Sequence, residues 1–294
     1  MVMSSQPVSL NLPPLGLMNL GLSCWWNSVL QIILHNPYLR DCIEFRADTS
    51  KMPLINHLQH LLYTIRQRDS YETYNCHVKL YKFILQLHPT FRESSMNDSH
   101  EVLTYVLNRL HEESSLPVPD TFQPKDAVSQ AIMRDFDRKL SHVLHNIVCC
   151  TKRTTSDNTQ IIETYTTLFV EPRLVDNTYY GIEEALNEKN YGFLPRCLFV
   201  SLIVGQRAMC RFSLNIKVQH MDYKLHSMVL FIPSMLHYVS VVSTDFVDHN
   251  KQPDREWMLC NDQQITMINL ADLMRHVGGD AYPTVVSYVQ VDVV

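Results

Sequence analysis

The stretch Gly16 to Arg40, GLMNLGLSCWWNSVLQIILHNPYLR, places one cysteine, Cys24, where a loop with two glycines gives way to an apolar helix. From Trp25 onward the apolar residues recur at spacings of three and four, which predicts a helix that ends near Asn36. Ser23 is the predicted N-cap of this helix. A thiol at a helix N-terminus lies close to the positive end of the helix dipole and to N–H groups without an acceptor in the helix. Both effects favour the thiolate, the nucleophilic form of cysteine.

Local context leaves two interpretations of Cys24 open. Most intracellular cysteines are small buried apolar residues, whereas a nucleophilic cysteine needs a base and a group that orients the base. The chain has 14 histidines, and His237 stands out because it begins a run of strand type, HYVSVV. Asn261 follows 24 residues later (261 − 237), a separation that suits a strand, a loop and a return on the neighbouring strand. The nucleophile hypothesis therefore has His237 and Asn261 as its candidate base and orienting residue.

The segment GLMNLGLSCWWNSVLQ, residues 16–31, resembles the cysteine box of the ubiquitin-specific proteases, usually written GLxNLGNTCYMNSxLQ. The matching residues are Gly16, Leu17, Asn19, Leu20, Gly21, Cys24, Asn27, Ser28, Leu30 and Gln31. The family's histidine box, roughly YxL…GHYxxxV…WxxF(N/D)DxxV, is matched at Tyr223, Leu225, His237, Tyr238, Trp257, Asn261, Asp262 and Ile265. A third block, MNDSHEVL, resembles the QQDAxEFL box at Asp98, Glu101 and Leu103. The resemblance runs from Gly16 to about Val291.

This resemblance implies the chemistry of a cysteine isopeptidase. Cys24 would be the nucleophile that attacks the terminal glycine carbonyl of ubiquitin, His237 the general base and Asn261 the residue that orients the base. Asp262 matches the adjacent acidic position of the family and would support the site. Asn19 matches the position that stabilises the oxyanion, and it would act together with the Cys24 backbone N–H. The reaction requires no cofactor.

Four further residues are predicted to contact the substrate. Asp98 matches an aspartate that reaches a basic residue of the ubiquitin tail in the family, and it also suits a simple helix cap. Tyr238 directly follows the base. Leu236 stands where the family usually has a glycine, so that it would narrow the channel for the tail. Trp25 enlarges the residue after the nucleophile, either as a packing substitution or by closing the cleft.

The composition is that of a globular protein without a nucleic-acid or membrane partner. The 294 residues are 46% apolar and 19% charged, and a net charge of −5 with a pI near 6.3 gives no basic surface for nucleic acid. No apolar run approaches the length of about 18 residues that a membrane span needs, and the N-terminus lacks the features of a secretory signal. The eight cysteines have no disulfide-like spacing. We therefore expect a reducing compartment, the cytosol or the nucleus.

The order of elements predicts an α+β fold, and the resemblance specifies a papain-like cysteine protease. We expect a lead-in over residues 1–15 and one catalytic domain over 16–294, with a helical thumb lobe (16–120) and a β-sheet palm lobe (121–294) that meet near the Pro-rich segment Pro117–Lys125. Further helices are predicted at Pro53–Arg68, at Cys76–Leu87, in DSHEVLTYVLNRLHEE, at Gly181–Glu188 and at Ala271–His276. Strands are predicted at His142–Cys150, Ile161–Val170, Leu194–Val204, Met209–Ile216, Leu225–Ile232, His237–Ser243, Glu256–Cys260 and Thr284–Val291.

The zinc-holding fingers region of the family is predicted to be reduced in this chain. That region usually carries two CxxC pairs, but this sequence contains no CxxC. Cys149 and Cys150 are adjacent and are predicted to be ordinary strand residues, and the segment between Val170 and Leu194 is short. The sequence therefore predicts no metal site. It leaves room for an activating protein partner that replaces the fingers.

Three functions are compatible with these motifs. The first is hydrolysis of the isopeptide bond after the C-terminal glycine of ubiquitin, which the complete set of Cys24, His237 and Asn261 favours. The second is the same reaction on another ubiquitin-like modifier. The third is a catalytically weak scaffold that binds ubiquitin.

Overall fold

The computed structural model describes residues 12–44, 51–93, 95–117, 126–135, 139–140, 144–156, 159–171, 174–175, 178–179, 181–202, 212–246 and 256–291. The helices are α1 (Cys24–Leu34), α2 (Pro37–Glu44), α3 (Pro53–Arg66), α4 (Ser70–Leu87), α5 (Ser99–Ser114), α6 (Ala127–Asp135), α7 (Leu144–Val148), α8 (Ile182–Asn187) and α9 (Leu270–Gly278). The strands are β1 (Leu116–Pro117), β2 (Lys139–Leu140), β3 (Cys150–Ser156), β4 (Thr159–Tyr165), β5 (Leu168–Val170), β6 (Leu174–Val175), β7 (Thr178–Tyr179), β8 (Asn190–Phe193), β9 (Cys197–Leu202), β10 (Asn215–Val218), β11 (Met221–Ile232), β12 (His237–Ser243), β13 (Trp257–Asn261), β14 (Gln264–Ile268) and β15 (Tyr282–Gln290). Across these ranges no helix is both long and apolar enough to cross a lipid bilayer.

The chain forms two compact units, each built from separate parts of the sequence. Unit 1 comprises Met1–Val102 and His226–Tyr282, and unit 2 comprises Leu103–Leu225 and Pro283–Val294. Unit 1 therefore contains α1 to α4, α9 and strands β12 to β14. Every residue that the sequence predicts to be catalytic or to contact the substrate belongs to unit 1.

The helices of unit 1 surround a buried central helix. All 11 residues of α1 are buried, and α1 packs against β12 and β13. Because the helix is apolar on most of its surface, it is stable only inside such a core. Around it, α3 packs against α4, which begins at an N-cap aspartate: the Asp69 carboxylate accepts a hydrogen bond from the Glu72 N–H at 3.0 Å. Such a cap typically contributes about 1 kcal/mol to stability.

The sheet of unit 1 is an antiparallel meander of β11, β12, β13 and β14. A 3₁₀ turn at Pro233–Met235 connects β11 to β12, and the last pair of β11 and β12 is Ile232 with His237. A two-residue turn connects β13 to β14, because Asn261 pairs with Gln264. In adjacent antiparallel strands, the start of one strand lies beside the end of the next. This topology places His237, at the start of β12, close to Asn261, at the end of β13.

Most strand pairs of unit 2 are antiparallel. β3 pairs with β4 and β8, while β9 lies between the antiparallel β15 and the parallel β5. The hairpin of β10 with the first residues of β11 is fixed by Asn187 at the end of α8. Asn187 donates from Nδ2 to the Lys217 carbonyl at 2.7 Å, and its Oδ1 accepts from the Gln219 N–H at 2.7 Å.

Several predicted elements differ from those observed. The predicted strand His142–Cys150 is wrong where the structure describes it: Leu144–Val148 is the helix α7, and β3 starts only at Cys150. A short apolar run of this kind does not distinguish a helix from a strand by its period. The predicted strand Ile161–Val170 overlaps two strands, β4 and β5, because Thr166 turns away to donate to Asn108 Oδ1 at 2.7 Å. The helix α2 and strand β14 were not predicted.

Some predictions concern residues outside the described ranges. The predicted boundary between lobes falls within residues 118–125, and the first three residues of the predicted strand Met209–Ile216 fall within 203–211. Of its described residues, only Asn215 and Ile216 belong to a strand, β10. The predicted fingers segment is described only in part, with the short paired strands β6 and β7 followed by α8. The division at residue 120 and the reduced fingers therefore stay predictions.

Candidate active site

Cys24 is the first residue of α1, and its side chain is hydrogen-bonded to the imidazole of His237. The residue is only 2% exposed. Because the first N–H groups of a helix have no acceptor within it, the Cys24 N–H can serve as a donor at the helix end. Ser23 occupies the predicted N-cap position, but its hydroxyl does not cap the helix. Instead it accepts from the Leu20 N–H at 2.8 Å and donates to Asn19 Oδ1 at 3.4 Å.

His237 begins β12 and is oriented by Asn261 at the end of β13. Its Nε2 lies 2.8 Å from Asn261 Oδ1. Because an amide oxygen can only accept, Nε2 must carry the hydrogen and donate it. In the neutral ring Nδ1 then keeps its lone pair, and this is the nitrogen that can take the thiol proton of Cys24. The structure therefore brings the predicted nucleophile, base and orienting residue together in that order.

The pKa of His237 is raised from 6.5 to about 9. The hydrogen bond to Cys24 is the main cause, and burial opposes it. The hydrogen bond to Asn261 and the negative charge of Asp262 raise the pKa further. A histidine that stays protonated above neutral pH is the partner that a thiolate requires, because each charge favours the other.

The Asp262 carboxylate connects the loop before the nucleophile to the turn after Asn261. Its Oδ2 accepts from Asn19 Nδ2 at 2.8 Å and lies 3.8 Å from His237 Nε2. Its Oδ1 accepts from Asn27 Nδ2 at 2.7 Å. The Asn19 amide has two hydrogens on Nδ2, so one remains for a ligand after the bond to Asp262. The predicted oxyanion donor is thus held in place by the predicted supporting residue.

A row of polar residues on α1 holds the loop that precedes Cys24. Asn27, Gln31 and His35 are spaced by four residues, and all three are buried. Asn27 donates to the Met18 carbonyl at 3.2 Å, and Gln31 donates to the Leu15 carbonyl at 2.6 Å. The sequence alone predicted no role for these residues. The signal that could have revealed them is a polar residue at every fourth position of an apolar helix.

Gly16 allows the same loop to approach the β13–β14 turn closely. A Cβ atom at residue 16 would lie 2.2 Å from the carbonyl oxygen of Gln263, far inside the contact distance. The next residue, Leu17, donates its N–H to the Asp262 carbonyl at 2.9 Å. Only glycine permits this approach. The loop, the turn and α1 are therefore fastened to one another around Asp262.

Asp98 and Tyr238 lie close together in unit 1. The Asp98 Oδ1 accepts from the His100 N–H at 3.0 Å and pairs with His100 Nδ1 at 2.8 Å, while the side chain stays 46% exposed. Burial alone would raise the pKa of Asp98, but these hydrogen bonds to His100 lower it below its usual value. The carboxylate therefore acts as a helix cap and also offers negative charge to solvent.

Tyr238 is mostly buried beside this carboxylate. Burial raises its pKa, and the charges of Asp98 and Tyr282 raise it further. Its ring packs at 4.8 Å from Phe231, which in turn lies 5.7 Å from Tyr282. An acidic group thus lies beside a cluster of three aromatic rings.

The structure places Trp25 and Leu236 very differently. Trp25 is fully buried, with ring centroids 6.0 Å from both Tyr81 and Phe91. Because it has no exposed surface, we assign Trp25 to core packing, which corrects the expectation of a substrate contact. Leu236 is 65% exposed and has a φ of 47°, a left-handed conformation that glycine adopts easily. The expected substrate contact of Leu236 remains compatible with its exposure.

A second cysteine lies near histidines in unit 2, but it does not resemble a nucleophile. Cys149 lies close to His145 and His111. Burial raises the pKa of the Cys149 thiol, which keeps it protonated. A nucleophilic cysteine requires the opposite shift.

Comparisons with known proteins agree with the arrangement in unit 1. A family model described as ubiquitin carboxyl-terminal hydrolase matches residues 15–282. Human ubiquitin carboxyl-terminal hydrolase 35 is 32% identical over 101 residues, which are 34% of this chain and 9% of the human protein. This chain therefore matches less than a tenth of the length of that relative.

Solved structures share the fold at low sequence identity. The SAGA Ubp8/Sgf11/Sus1/Sgf73 DUB module matches with a TM-score of 0.69 and 14% identity, over 99% of this chain and 71% of the matched chain. The same module bound to ubiquitin aldehyde matches with a TM-score of 0.65 and 13% identity, over 100% and 72%. A third structure, of the yeast module with an Sgf73 variant, matches with a TM-score of 0.63 and 12% identity, over 98% and 70%. The predicted α+β, papain-like fold class is confirmed.

Proposed function

Because the chain belongs to the ubiquitin carboxyl-terminal hydrolase family, we propose that it hydrolyses the isopeptide bond after the C-terminal glycine of ubiquitin on protein conjugates. The observation that carries this proposal is the continuous hydrogen-bonded series Cys24, His237 and Asn261 within one compact unit. A binding scaffold would not require a nucleophile, a base and an orienting residue in contact. The ubiquitin-bound neighbour supports ubiquitin as the modifier.

The geometry supports the first half of the reaction as follows. His237 Nδ1 takes the proton of Cys24, and the thiolate attacks the glycine carbonyl carbon. The negative charge that develops on the carbonyl oxygen is stabilised by the free hydrogen of Asn19 Nδ2 and by the Cys24 N–H. Asp262 holds Asn19 before the substrate arrives, so the donor does not have to reorganise during the reaction.

The second half releases both products. The tetrahedral intermediate collapses, and the imidazolium of His237 donates its proton to the leaving lysine amine. Cys24 then carries the modifier as a thioester. A water molecule, deprotonated by His237, attacks this thioester and restores the thiol.

Asp98 and the aromatic cluster beside it are the proposed site for the ubiquitin tail. The exposed carboxylate of Asp98 attracts a basic side chain of the tail, and Tyr238, Tyr282 and Phe231 offer apolar surface next to it. Leu236 would flank the tail where it enters. In this arrangement Asp98 contributes to substrate affinity and Cys24 to chemistry, and the two effects can be measured separately.

Covalent trapping tests the proposal directly. The purified chain is mixed with ubiquitin that carries a thiol-reactive group at its C-terminus, and the intact mass is measured. We expect one adduct that disappears in Cys24→Ala and persists in Cys76→Ala, a matched control because Cys76 is partly exposed. Asn19→Ala should lower kcat by about 100- to 1000-fold.

Other outcomes contradict the proposal in distinct ways. An adduct with another ubiquitin-like modifier but not with ubiquitin would assign the same chemistry to a different substrate. If no modifier forms an adduct although the folded chain binds ubiquitin, the chain is a binding scaffold. An adduct that survives Cys24→Ala would show that another cysteine reacts.

We also propose that a protein partner supports the activity of this chain. The neighbouring module contains Ubp8 together with Sgf11, Sus1 and Sgf73. The reduced fingers that the sequence predicts would give the chain little surface for gripping a modifier. The trapping rate of the purified chain tests this proposal. If the chain alone forms the ubiquitin adduct completely, and as fast as its complex with a partner does, then activity does not require a partner.

A further inference from the structure

Unit 2 contains a cluster of two histidines and a cysteine that the proposed reaction does not use. His111 lies on α5, His145 on α7, and Cys149 directly after α7. The side-chain donor atoms of these three residues all lie within 4.8 Å of one another. His111 and Cys149 are fully buried, with 0% of their surface exposed.

Local structure brings His145 and Cys149 to the same side of α7. The Cys149 N–H donates to the His145 carbonyl at 3.0 Å, so the helical turn continues through Cys149. Residues four apart on a helix lie on one face. The His145 ring stacks on Phe193 with a centroid separation of 5.6 Å and an interplanar angle of 23°, which restricts its orientation.

Ser115 favours one tautomer of His111. The Ser115 hydroxyl donates to the His111 carbonyl, so its oxygen can accept from His111 Nδ1, which lies 3.3 Å away. Nδ1 then carries the hydrogen, and Nε2 keeps a lone pair. A second hydrogen bond of this kind is the usual companion of a histidine that binds a metal.

We propose that His111, His145 and Cys149 bind a zinc ion. Thiolate sulfur and imidazole nitrogen are preferred zinc ligands, and Zn–S and Zn–N distances are about 2.3 and 2.0–2.1 Å. In a tetrahedral site these distances place the donors about 3.3–3.6 Å apart, so donors within 4.8 Å of one another have to approach by at most about 1.5 Å. Water would occupy the fourth position.

This ligand set differs from the paired CxxC motif, whose absence led to the prediction of no metal site. The lack of CxxC argues against a site of four thiolates but not against a site with one thiolate and two imidazoles. The proposed ion would connect the end of α5 to α7 and to the start of β3. It would therefore stabilise unit 2.

Cobalt substitution tests the site without relying on activity. The experiment uses the Cys24→Ala variant, because this substitution removes the catalytic thiol as an alternative ligand. The variant is treated with a chelator and titrated with Co²⁺. We expect one Co²⁺ ion to bind per chain. Its absorption spectrum should show a thiolate-to-cobalt charge-transfer band and the intense visible bands of a tetrahedral Co²⁺ ion. Cys149→Ser should abolish the charge-transfer band. Its buried neighbour Cys150 is the matched control, and Cys150→Ser should retain the band.

Two further measurements keep the test decisive if Cys149→Ser does not fold. Ser115→Ala should weaken Zn²⁺ binding by about 10- to 100-fold, the usual effect of losing a hydrogen bond to a ligating histidine. The wild-type chain should contain one zinc per molecule and should unfold at a lower temperature after chelation. Substoichiometric metal after reconstitution, or a charge-transfer band that persists in Cys149→Ser, would overturn the proposal.

Discussion

Replacing Asp262 tests whether its carboxylate positions the oxyanion donor. The carboxylate accepts from Asn19 at 2.8 Å and from Asn27 at 2.7 Å, and Asp262 itself has a φ of 49°. Asp262→Asn keeps one acceptor oxygen and tolerates positive φ, because asparagine adopts this conformation more easily than most residues. Asp262→Ala removes both acceptors and also has to adopt the left-handed conformation. Asp262→Ala should therefore disturb the site more than Asp262→Asn does.

The expected losses in stability follow from these contacts. A hydrogen bond to a charged group contributes about 1.5–3 kcal/mol. We place the exposed Asn19 bond below this range and the partly buried Asn27 bond within it. Asp262→Asn should then lower the free energy of unfolding by about 1–2 kcal/mol. Asp262→Ala should lower it by about 3–4 kcal/mol, including about 1 kcal/mol for positive φ.

The kinetic effect should appear in kcat. Asn19 stabilises charge that exists only in the transition state, so misplacing it should lower kcat by up to about 100-fold in Asp262→Ala, with little change in KM. Hydrolysis of a fluorogenic ubiquitin substrate and urea unfolding measure the two quantities. Asp272→Ala is the charge-matched control: Asp272 forms an ion pair with Arg275 on α9, which contributes about 0–1 kcal/mol. An unchanged kcat in a folded Asp262→Ala variant would refute the positioning role.

Three other predictions concern the same unit. The pKa of His237, raised to about 9, should fall toward 6.5 in Cys24→Ala, as NMR titration of its ring would show. A raised pKa stabilises the fold fully below pH 6.5, and this stabilisation is lost as pH rises through about 9. Only the wild type should therefore lose stability between pH 6.5 and about 9, and equal profiles of stability against pH in the two proteins would contradict this. Gly16→Ala should destabilise the fold by about 1–3 kcal/mol, measured by urea unfolding, because its Cβ would clash with backbone; an unchanged midpoint would contradict the close approach. Asp98→Ala and Asp69→Ala should each lose about 1 kcal/mol as helix caps, but only Asp98→Ala should weaken ubiquitin binding in calorimetry, and equal affinities would remove the binding role of Asp98.

The sequence predicted the residues that meet at the site better than the contacts that hold them. Cys24 and His237 could be proposed because a helix N-terminus and the start of a strand have recognisable local patterns. The double role of Asp262 could not, since its bonds join residues more than 230 positions apart. Burial also could not be read locally. Trp25 follows the nucleophile directly in the sequence, yet its side chain packs in the core against Tyr81 and Phe91.

Two residues with a left-handed backbone lie beside the base and its orienting residue. Among the described residues, the non-glycine residues with positive φ are Arg68, Gln219, Leu236 and Asp262. Leu236 directly precedes His237, and Asp262 directly follows Asn261. The strain at Asp262 is offset by the hydrogen bonds of its carboxylate. Leu236 donates its N–H to the Pro233 carbonyl at 3.2 Å, but its apolar side chain forms no hydrogen bond and is 65% exposed.

The left-handed backbone of Leu236 should lower the stability of the fold, while its side chain narrows the entry for the ubiquitin tail. A left-handed conformation costs a residue other than glycine about 1–2 kcal/mol, and the greater unfolded-state freedom of glycine offsets about 0.5–1 kcal/mol of this. Leu236→Gly should then stabilise the fold by about 0.5–1 kcal/mol in thermal unfolding, whereas Leu236→Ala, which keeps the strained backbone, should not. If the leucine side chain narrows the entry for the ubiquitin tail, both variants should lower KM to the same degree. Equal stability of the two variants would refute the strain, and an unchanged KM in both would refute the role in substrate entry.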